Sequence, residues 1–278
     1  LSVNSFTIDT VKPVLAQVTA VTTPTNDTTP SYAFSSDEAG TISYSGCSQG
    51  ETSAINGTNS ISFGTLSEAS YSCTITVTDS AENASSALSV STFVVDTTAP
   101  TVENVSSSTA NGDYFPGDNI TVTVGFNETV NVDNSNGNPR IQLAARPDNN
   151  SYANYVSGTS SSILSFSYTV QAGDNYTDLD YKATDSLFTN SGTIKDNASN
   201  DANLTLASPG ATNSLASNKT FVFGGYKQEA YAKSINRPNN NMSYGSDVAI
   251  NGDTMAVGAY FEKSKQRTIT NGTTAAED

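Results

Sequence analysis

Two similar nine-residue segments lie at residues 1–9 and 88–96 of the chain. The copies read LSVNSFTID and LSVSTFVVD, and each is followed by a Thr and, three residues later, by a Pro. Apolar and polar side chains alternate in both copies and both end at an Asp, as a half-buried last strand running into a linker does. The repeat predicts an array of similar modules, which is typical of structural proteins, and we expect no enzymatic activity. Since no module precedes the first copy, we expect the chain to be a piece of a longer tandem array.

The composition favours an all-β fold. Of the 278 residues, 36% are hydrophobic and only 14% are charged, and the length is that of about two domains. No stretch has the period of an amphipathic helix, whereas Thr- and Val-rich alternation broken by Asn, Asp and Gly is typical of short strands joined by turns. His is absent, which excludes a histidine base, a histidine-ligated zinc and a histidine-based triad from these residues.

The formal net charge of −15 limits the partners of the chain. Such a surface repels nucleic acid and anionic lipid, so we expect no nucleic-acid partner. No apolar run approaches the roughly 20 residues of a membrane span, so we expect no membrane insertion in this fragment. The carboxylates either serve solubility alone or also supply ligands for hard cations.

The two cysteines, Cys47 and Cys73, lie at the end of one predicted strand (TISYSGC) and at the start of a later one (YSCTITVTD). Antiparallel neighbouring strands would bring these ends together, so we predict a disulfide, with two buried free thiols as the alternative. A disulfide implies an oxidising compartment outside the cytoplasm.

Strand-like segments divide the chain into four parts. They are the last strand of a preceding module with its linker (1–10), module one (11–96), the longer module two (97–224) and a truncated tail (225–278). The predicted strands of module one read LAQVTAV, PSYAFSS, TISYSG, SISFG, YSCTITVT and ALSVSTFVV. Those of module two read NITVTVGF, RIQLAA, SILSFSYTV and NKTFVF, and we assign its extra length to polar hairpins such as NVDNSNGNPR and ARPDNNSYANY. The tail predicts one hairpin around the turn NGD.

Several motifs resemble known families. Module one, with TPTNDTTPSYAFSS, ITVTDSAENAS and FVVDTTAPTV, resembles the bacterial immunoglobulin-like (Ig-like) domains of large secreted and surface proteins. Module two, with SSTANGDYFPGDNITVTVGFNETV and GTIKDNASNDANLTL, resembles a longer, cadherin-like relative. The tail is similar to the FG-GAP repeat of integrin-type β-propellers, with Tyr244-Gly245 in place of Phe-Gly and Gly258-Ala259-Tyr260 in place of Gly-Ala-Pro. The resemblances imply tandem Ig-like β-sandwiches followed by a partial β-propeller blade.

The same resemblances imply a function and a location. The chain would be a non-enzymatic, structural or adhesive part of a large bacterial protein, extracellular or on the cell surface. Its partners would be neighbouring Ig-like modules and a surface protein or glycan. A glycan- or protein-binding module and an accessory region of a secreted hydrolase are the alternatives.

A calcium site at the head of each module follows from the Ig-like resemblance. In such a sandwich, the entering linker, the loop after the second strand and the loop before the last strand share one pole. Both modules place oxygen-bearing side chains there, and both last loops follow the pattern Asp-x-Ala-x-Asn. The predicted Ca²⁺ ligands are Asp9, Glu38, Asp79 and Asn83 in module one, and Asp96, Glu128, Asp196 and Asn200 in module two. Bound calcium would stiffen the linkers.

Two further points qualify the predicted sites. Asp37 and Asp201 lie beside predicted ligands and are candidates for additional ones. Alternatively, the Asp and Asn residues are present only because they form good turns. In the tail, Lys263, Lys265 and Arg267 occupy the place of the calcium loop of the family, so we predict no cation there.

Overall fold

The computed structural model of the chain describes residues 8–146, 150–174 and 178–223, and the backbone of residues 243–251 and 254–260. Nearly all of the regular structure is β-strand, which confirms the all-β fold class. The chain forms two compact units, Leu1–Lys227 and Gln228–Asp278. Most of the first copy of the repeat and the basic tail residues Lys263, Lys265 and Arg267 lie outside the described residues.

Nine short strands surround one hydrophobic core in the described part of module one. They are β1 (Leu15–Thr19), β2 (Ser31–Ser36), β3 (Gly40–Ser45), β4 (Ser53–Ala54), β5 (Gly57–Ser62), β6 (Ala69–Tyr71), β7 (Thr74–Thr78), β8 (Leu88–Ser89) and β9 (Phe93–Val95). Their sheet orders are β1-β2-β5, β4-β3-β7-β8 and β6-β9. Alternate side chains point inward, such as Ile75 and Val77 of β7, and the buried core residues lie between Val21 and Val95.

Two segments that the sequence predicts as single strands are each divided in two. YSCTITVT spans the end of β6 and all of β7, and ALSVSTFVV is divided into β8 and β9. Because β6 pairs with β9 and β7 pairs with β8, both segments pass from one sheet to the other, and they do so side by side. Cys73 and Val90 are buried at this crossing, and the N–H of Val90 donates to the carbonyl of Cys73 at 2.9 Å. Such a corner lets two neighbouring segments contribute to two packed sheets.

Cys47 and Cys73 are joined by a disulfide, as predicted. Cys47 follows β3 and Cys73 precedes β7, and these strands pair antiparallel with Ser45 opposite Thr74. The pairing brings the two Cα atoms to 5.5 Å, a separation typical of disulfides. Because Cys73 belongs to the hydrophobic core, the bond ties the segment after β3 to that core.

Module two has nine strands and one helical turn among its described residues. They are β10 (Val102–Ser107), β11 (Gly112–Tyr114), β12 (Asn119–Asp133), β13 (Arg140–Leu143), β14 (Ser151–Ser157), β15 (Ser161–Thr169), β16 (Leu187–Phe188), β17 (Thr193–Lys195), α1 (Leu215–Asn218) and β18 (Phe221–Phe223). A curled sheet of order β10-β12-β15-β14-β13-β16, with β17 paired to β12, surrounds a second core. A separate parallel pair joins β11 to β18.

In module two, two strands extend into segments for which the sequence predicts polar hairpins. β12 continues to Asp133, because Val130 is fully buried and maintains the inward alternation. β14 forms in the Asn-rich segment that follows β13, where Ala153 is buried and the ring of Tyr155 packs edge-on against Phe166. Burial of every second side chain therefore outweighs the polar composition in both places.

The second unit contains one antiparallel hairpin of β19 (Ser243–Asn251) and β20 (Thr254–Tyr260). The pairing runs from Asn251 opposite Thr254 to Ser243 opposite Tyr260. This is the hairpin that the alternating segments on either side of NGD predict.

Removal of the disulfide should destabilise module one alone. The two cysteines are 26 residues apart in sequence, so replacing both with Ala should lower the free energy of unfolding by roughly 3.5 kcal/mol in the loop-entropy description. The unfolding transition of module two should stay in place, because its core shares no residue with this loop. Differential scanning calorimetry without reductant measures both transitions, and an equal shift of the two would contradict this assignment.

Candidate metal centre

Three carboxylates converge at one end of each module. The trios are Asp9, Glu38 and Asp79 in module one, and Asp96, Glu128 and Asp196 in module two. Within each trio, one oxygen of every residue lies within 4.8 Å of the others. The structure brings together the six carboxylates that the sequence places at two poles. Their role as metal ligands remains a prediction. In module one, Glu38 and Asp79 lie in loops, as predicted. In module two, Asp196 lies in a loop, but Glu128 lies within β12, where the pairing with β15 changes register between Gly125 and Val130, and not in the loop that the sequence predicts.

The loop that carries the last Asp of each trio has the same hydrogen bonds in both modules. After β7, the N–H of Asn83 donates to Oδ1 of Asp79 at 2.8 Å, and its side-chain amide donates to Oδ2 at 2.9 Å. After β17, Asn200 makes the same two bonds to Asp196, both at 2.8 Å. The residue before each Asn has a left-handed backbone, with φ of 68° and 77°. The sequence pattern Asp-x-Ala-x-Asn therefore encodes one defined loop.

The same Asn side chains reach the entering linker. The Nδ2 of Asn83 donates to the carbonyl of Asp9 at 3.2 Å, and the Nδ2 of Asn200 donates to the carbonyl of Asp96 at 2.9 Å. Each of these Asp residues also accepts the N–H two positions later, at 3.0 Å in module one and 3.1 Å in module two, which is an Asx-turn. The linker therefore begins with a fixed turn and is held to the last loop by one amide.

The residue before each Glu caps the first strand of its module. Oδ1 of Asp37 accepts the N–H of Val14 at 2.7 Å, and the N–H of Asp37 donates back to the carbonyl of Val14 at 3.3 Å. Oδ1 of Asn127 accepts the N–H of Thr101 at 2.7 Å, with a return bond of 3.0 Å. These reciprocal bonds fix the backbone beside the entering linker, and the following Glu is thereby placed next to the linker Asp.

The carboxylates of each trio differ in electrostatic environment. Burial raises the pKa of Glu38, and the charges of its two Asp partners raise it further. Burial is also the largest cause of the raised pKa of Glu128, followed by the charges of Asp196, Asp96 and Glu68. Hydrogen bonds, of which that from the side chain of Asn83 is the largest, instead lower the pKa of Asp79. In each trio, the Glu is therefore the group whose charge the surrounding protein opposes.

The donor set fits a hard divalent cation. Among the described residues, no donor satisfies the carboxylate of Glu38 or of Glu128. Two oxygens on one Ca²⁺ lie at most about 5 Å apart, because each Ca–O bond is about 2.3–2.6 Å long. The 4.8 Å spacing within each trio meets this limit. Neither trio contains His or Cys, the ligands that favour transition metals.

The other predicted residues take supporting positions. Asn83 and Asn200 direct the nitrogen of the amide toward the Asp carboxylate, so they position the loop, and ligation by their oxygens remains a prediction. Asp37 uses its carboxylate to cap the first strand. Asp201 forms an ion pair with Lys195 at 2.7 Å.

Two residues beside the second trio are not among the predicted ligands. Asn127 makes in module two the bonds that Asp37 makes in module one. The sequence does carry a signal for Asn127, because an Asp or Asn directly precedes the Glu of the trio in both modules. Glu68 reaches the linker from module one, where its Oε2 accepts the hydroxyl of Thr98 at 2.7 Å and that of Thr97 at 3.0 Å. These bonds lower the pKa of Glu68. No sequence signal marks this residue, because its position depends on strand pairing.

Part of the chain matches a known family. Residues 238–273 match the FG-GAP repeat, and the hairpin of β19 and β20 lies within this match. No curated protein matches the chain. The FG-GAP repeat and the disulfide are both consistent with an extracellular protein. Among the described residues, no helix combines the length and apolar character needed to cross a bilayer.

Two substitutions in the second trio should differ in their effect on stability in the absence of metal. Asp196→Ala removes the acceptor of two hydrogen bonds at a buried position, so the free energy of unfolding should fall by about 1–3 kcal/mol. Glu128→Gln removes like-charge repulsion and no hydrogen bond, so the melting temperature should stay equal or rise by about 1–2 °C. Thermal unfolding in EDTA measures both, with Glu103→Gln as an exposed control outside the trio. A lower melting temperature for Glu128→Gln would refute the electrostatic assignment.

Proposed function

We propose that the chain is a non-enzymatic spacer of a secreted or surface-displayed bacterial adhesive protein, in which calcium stiffens the joints between Ig-like modules. One observation carries this proposal. The same carboxylate trio, held by the same hydrogen-bonded loop, lies at the entering linker of two modules of different length. In this proposal, the FG-GAP segment begins a propeller that follows the spacer.

The position of the second trio makes it suited to act on a joint. Asp96 lies between β9, the last strand of module one, and β10, the first strand of module two, whereas Glu128 and Asp196 belong to module two. A bound Ca²⁺ would supply the positive charge that offsets the repulsion among these three groups. Asn200 holds the linker in place by its amide, and Asn127 fixes the backbone before the Glu.

The mechanical consequence follows from the freedom of the linker. Residues 97–100 have no regular secondary structure, so without cross-links the joint would sample many angles. A cation shared by the linker, β12 and the loop after β17 would restrict these angles and extend the array. The carboxylates give the site its charge and the amides give it its shape.

Glycan binding by module two receives less support. The side chain of Tyr181 is 1% exposed, and Tyr155 packs against Phe166 at a ring distance of 5.9 Å. The guanidinium carbon of Arg140 lies 4.3 Å from the ring centre of Tyr152. These three tyrosines are therefore engaged in packing and cation–π contact and do not form an open stacking platform.

Calcium should stabilise both modules of the full chain. At a free Ca²⁺ concentration 100 times Kd, each occupied site stabilises the native state by about 2.7 kcal/mol. The melting temperature should accordingly rise by about 10–20 °C in module one and by about 5–15 °C in the longer module two. Calorimetry in EDTA and in CaCl₂ measures these shifts, and isothermal titration should give two sites per chain.

Matched variants separate the two sites. Glu38→Gln should abolish the calcium response of module one, and Glu128→Gln that of module two. Glu103→Gln, which lies on β10 outside both trios, should respond as wild type does. No heat of binding together with unchanged melting would rule out the calcium sites and the proposed stiffening.

A further inference from the structure

The end of β9, where the linker starts, is held by two segments of module one outside the trios. β6 pairs antiparallel with β9, and Ala69 lies opposite Val95. Glu68, the residue before β6, therefore lies beside Asp96. On the other side of β9, Thr25 forms a parallel bridge with Val95. The chain thus leaves module one between these two segments.

The carboxylate of Glu68 contacts the linker directly. Its Oε2 accepts three hydrogen bonds, from Oγ1 of Thr98 at 2.7 Å and from Oγ1 and N–H of Thr97 at 3.0 Å and 3.3 Å. Hydrogen bonds to a charged acceptor are stronger than those between neutral groups. All three bonds fall on the part of the linker that belongs to no strand. Glu68 therefore restrains the linker where strand pairing does not.

Backbone bonds extend this contact across the joint. The N–H of Asp96 donates to the carbonyl of Thr25 at 2.9 Å, and the N–H of Asn26 donates to the carbonyl of Ala198 at 3.1 Å. The second bond runs from module one to the Asp-x-Ala-x-Asn loop of module two. Ala198 is only 3% exposed, whereas its counterpart Ala81 in the loop of module one is exposed. Module one therefore contacts the loop that carries Asp196 of the second trio.

We propose that Glu68, together with Thr25 and Asn26, forms a clamp that sets the angle between the two modules before any cation binds. Glu68 acts as a positioning residue for Asp96. The clamp itself needs no metal, and the inference rests on the proposed function only in treating Asp96 as a calcium ligand. Because the clamp holds Asp96 where the trio forms, module docking and cation binding at the second trio favour each other.

Distance measurements on the full chain test the clamp. Spin labels are placed at two exposed positions, Ser60→Cys in module one and Val156→Cys in module two, with the native disulfide intact. In EDTA the wild-type joint should give one main peak, which bound Ca²⁺ should narrow further. Glu68→Ala should raise the fraction of molecules outside the main peak about tenfold, because the hydrogen bonds to the charged acceptor are lost. Glu68→Gln retains an oxygen acceptor and should restore most of the peak, and Glu103→Ala should leave it unchanged.

Two results in EDTA would overturn the clamp. One is an unchanged distribution in Glu68→Ala, and the other is equal broadening in Glu103→Ala. Since these measurements contain no calcium, they decide on the clamp even if the wild-type chain binds no cation and the proposed function fails.

A calcium titration then tests the linkage. The amide resonances of Asn83 and Asn200 report the two trios separately. Glu68→Gln serves as the reference, because it also lacks the charge. Relative to it, Glu68→Ala should weaken the calcium affinity reported by the Asn200 amide about tenfold. The calcium affinity reported by the Asn83 amide should be the same in both variants. Equal affinities of the two variants at Asn200 would overturn the positioning role.

Discussion

The side-chain amides of Asn83 and Asn200 set the geometry at the head of each module. Each amide joins segments that are distant in sequence, 74 residues apart in module one and 104 in module two. One bond goes to a linker carbonyl and another to the Asp carboxylate at the start of the loop. Because a single NH₂ group makes both bonds, the linker and the loop cannot move independently. The separation of their carboxylates, and hence the trio, depends on this tie.

A geometry held in this way brings like charges together at an energetic cost. The Asp of the loop is compensated by hydrogen bonds, which is why the pKa of Asp79 is lowered. The Glu receives no such bonds from the part of the chain that the structure describes, and its pKa is raised by burial and by its neighbours in both modules. A raised carboxyl pKa means that the ionised form destabilises the fold at higher pH and that protonation relieves the repulsion as pH falls. A bound cation would relieve the same repulsion at neutral pH.

Features that depend on a local sequence pattern, or on the pairing of neighbouring strands, could be predicted from the sequence. The disulfide follows from two strand ends that pair, and the six carboxylates follow from a motif repeated at equivalent places in two modules. Non-local pairing determines the rest. The change of sheets at Cys73 and Val90 depends on how four strands are shared between two sheets. Glu68 reaches the linker only because Ala69 pairs with Val95, and no motif in the sequence encodes that register.

Turn formation alone explains only some of the acidic side chains at the head of each module. Asp and Asn in a tight loop satisfy the backbone, and the observed bonds of Asp79 and Asp196 are those that a good turn requires. Glu38 and Glu128 have no place in this explanation, because no described donor satisfies either carboxylate and both are directed toward like charges. A structural residue at that position would be neutral or apolar. The two Glu side chains are therefore the feature that favours a cation site over a turn, and they recur in modules whose sheets are otherwise built differently.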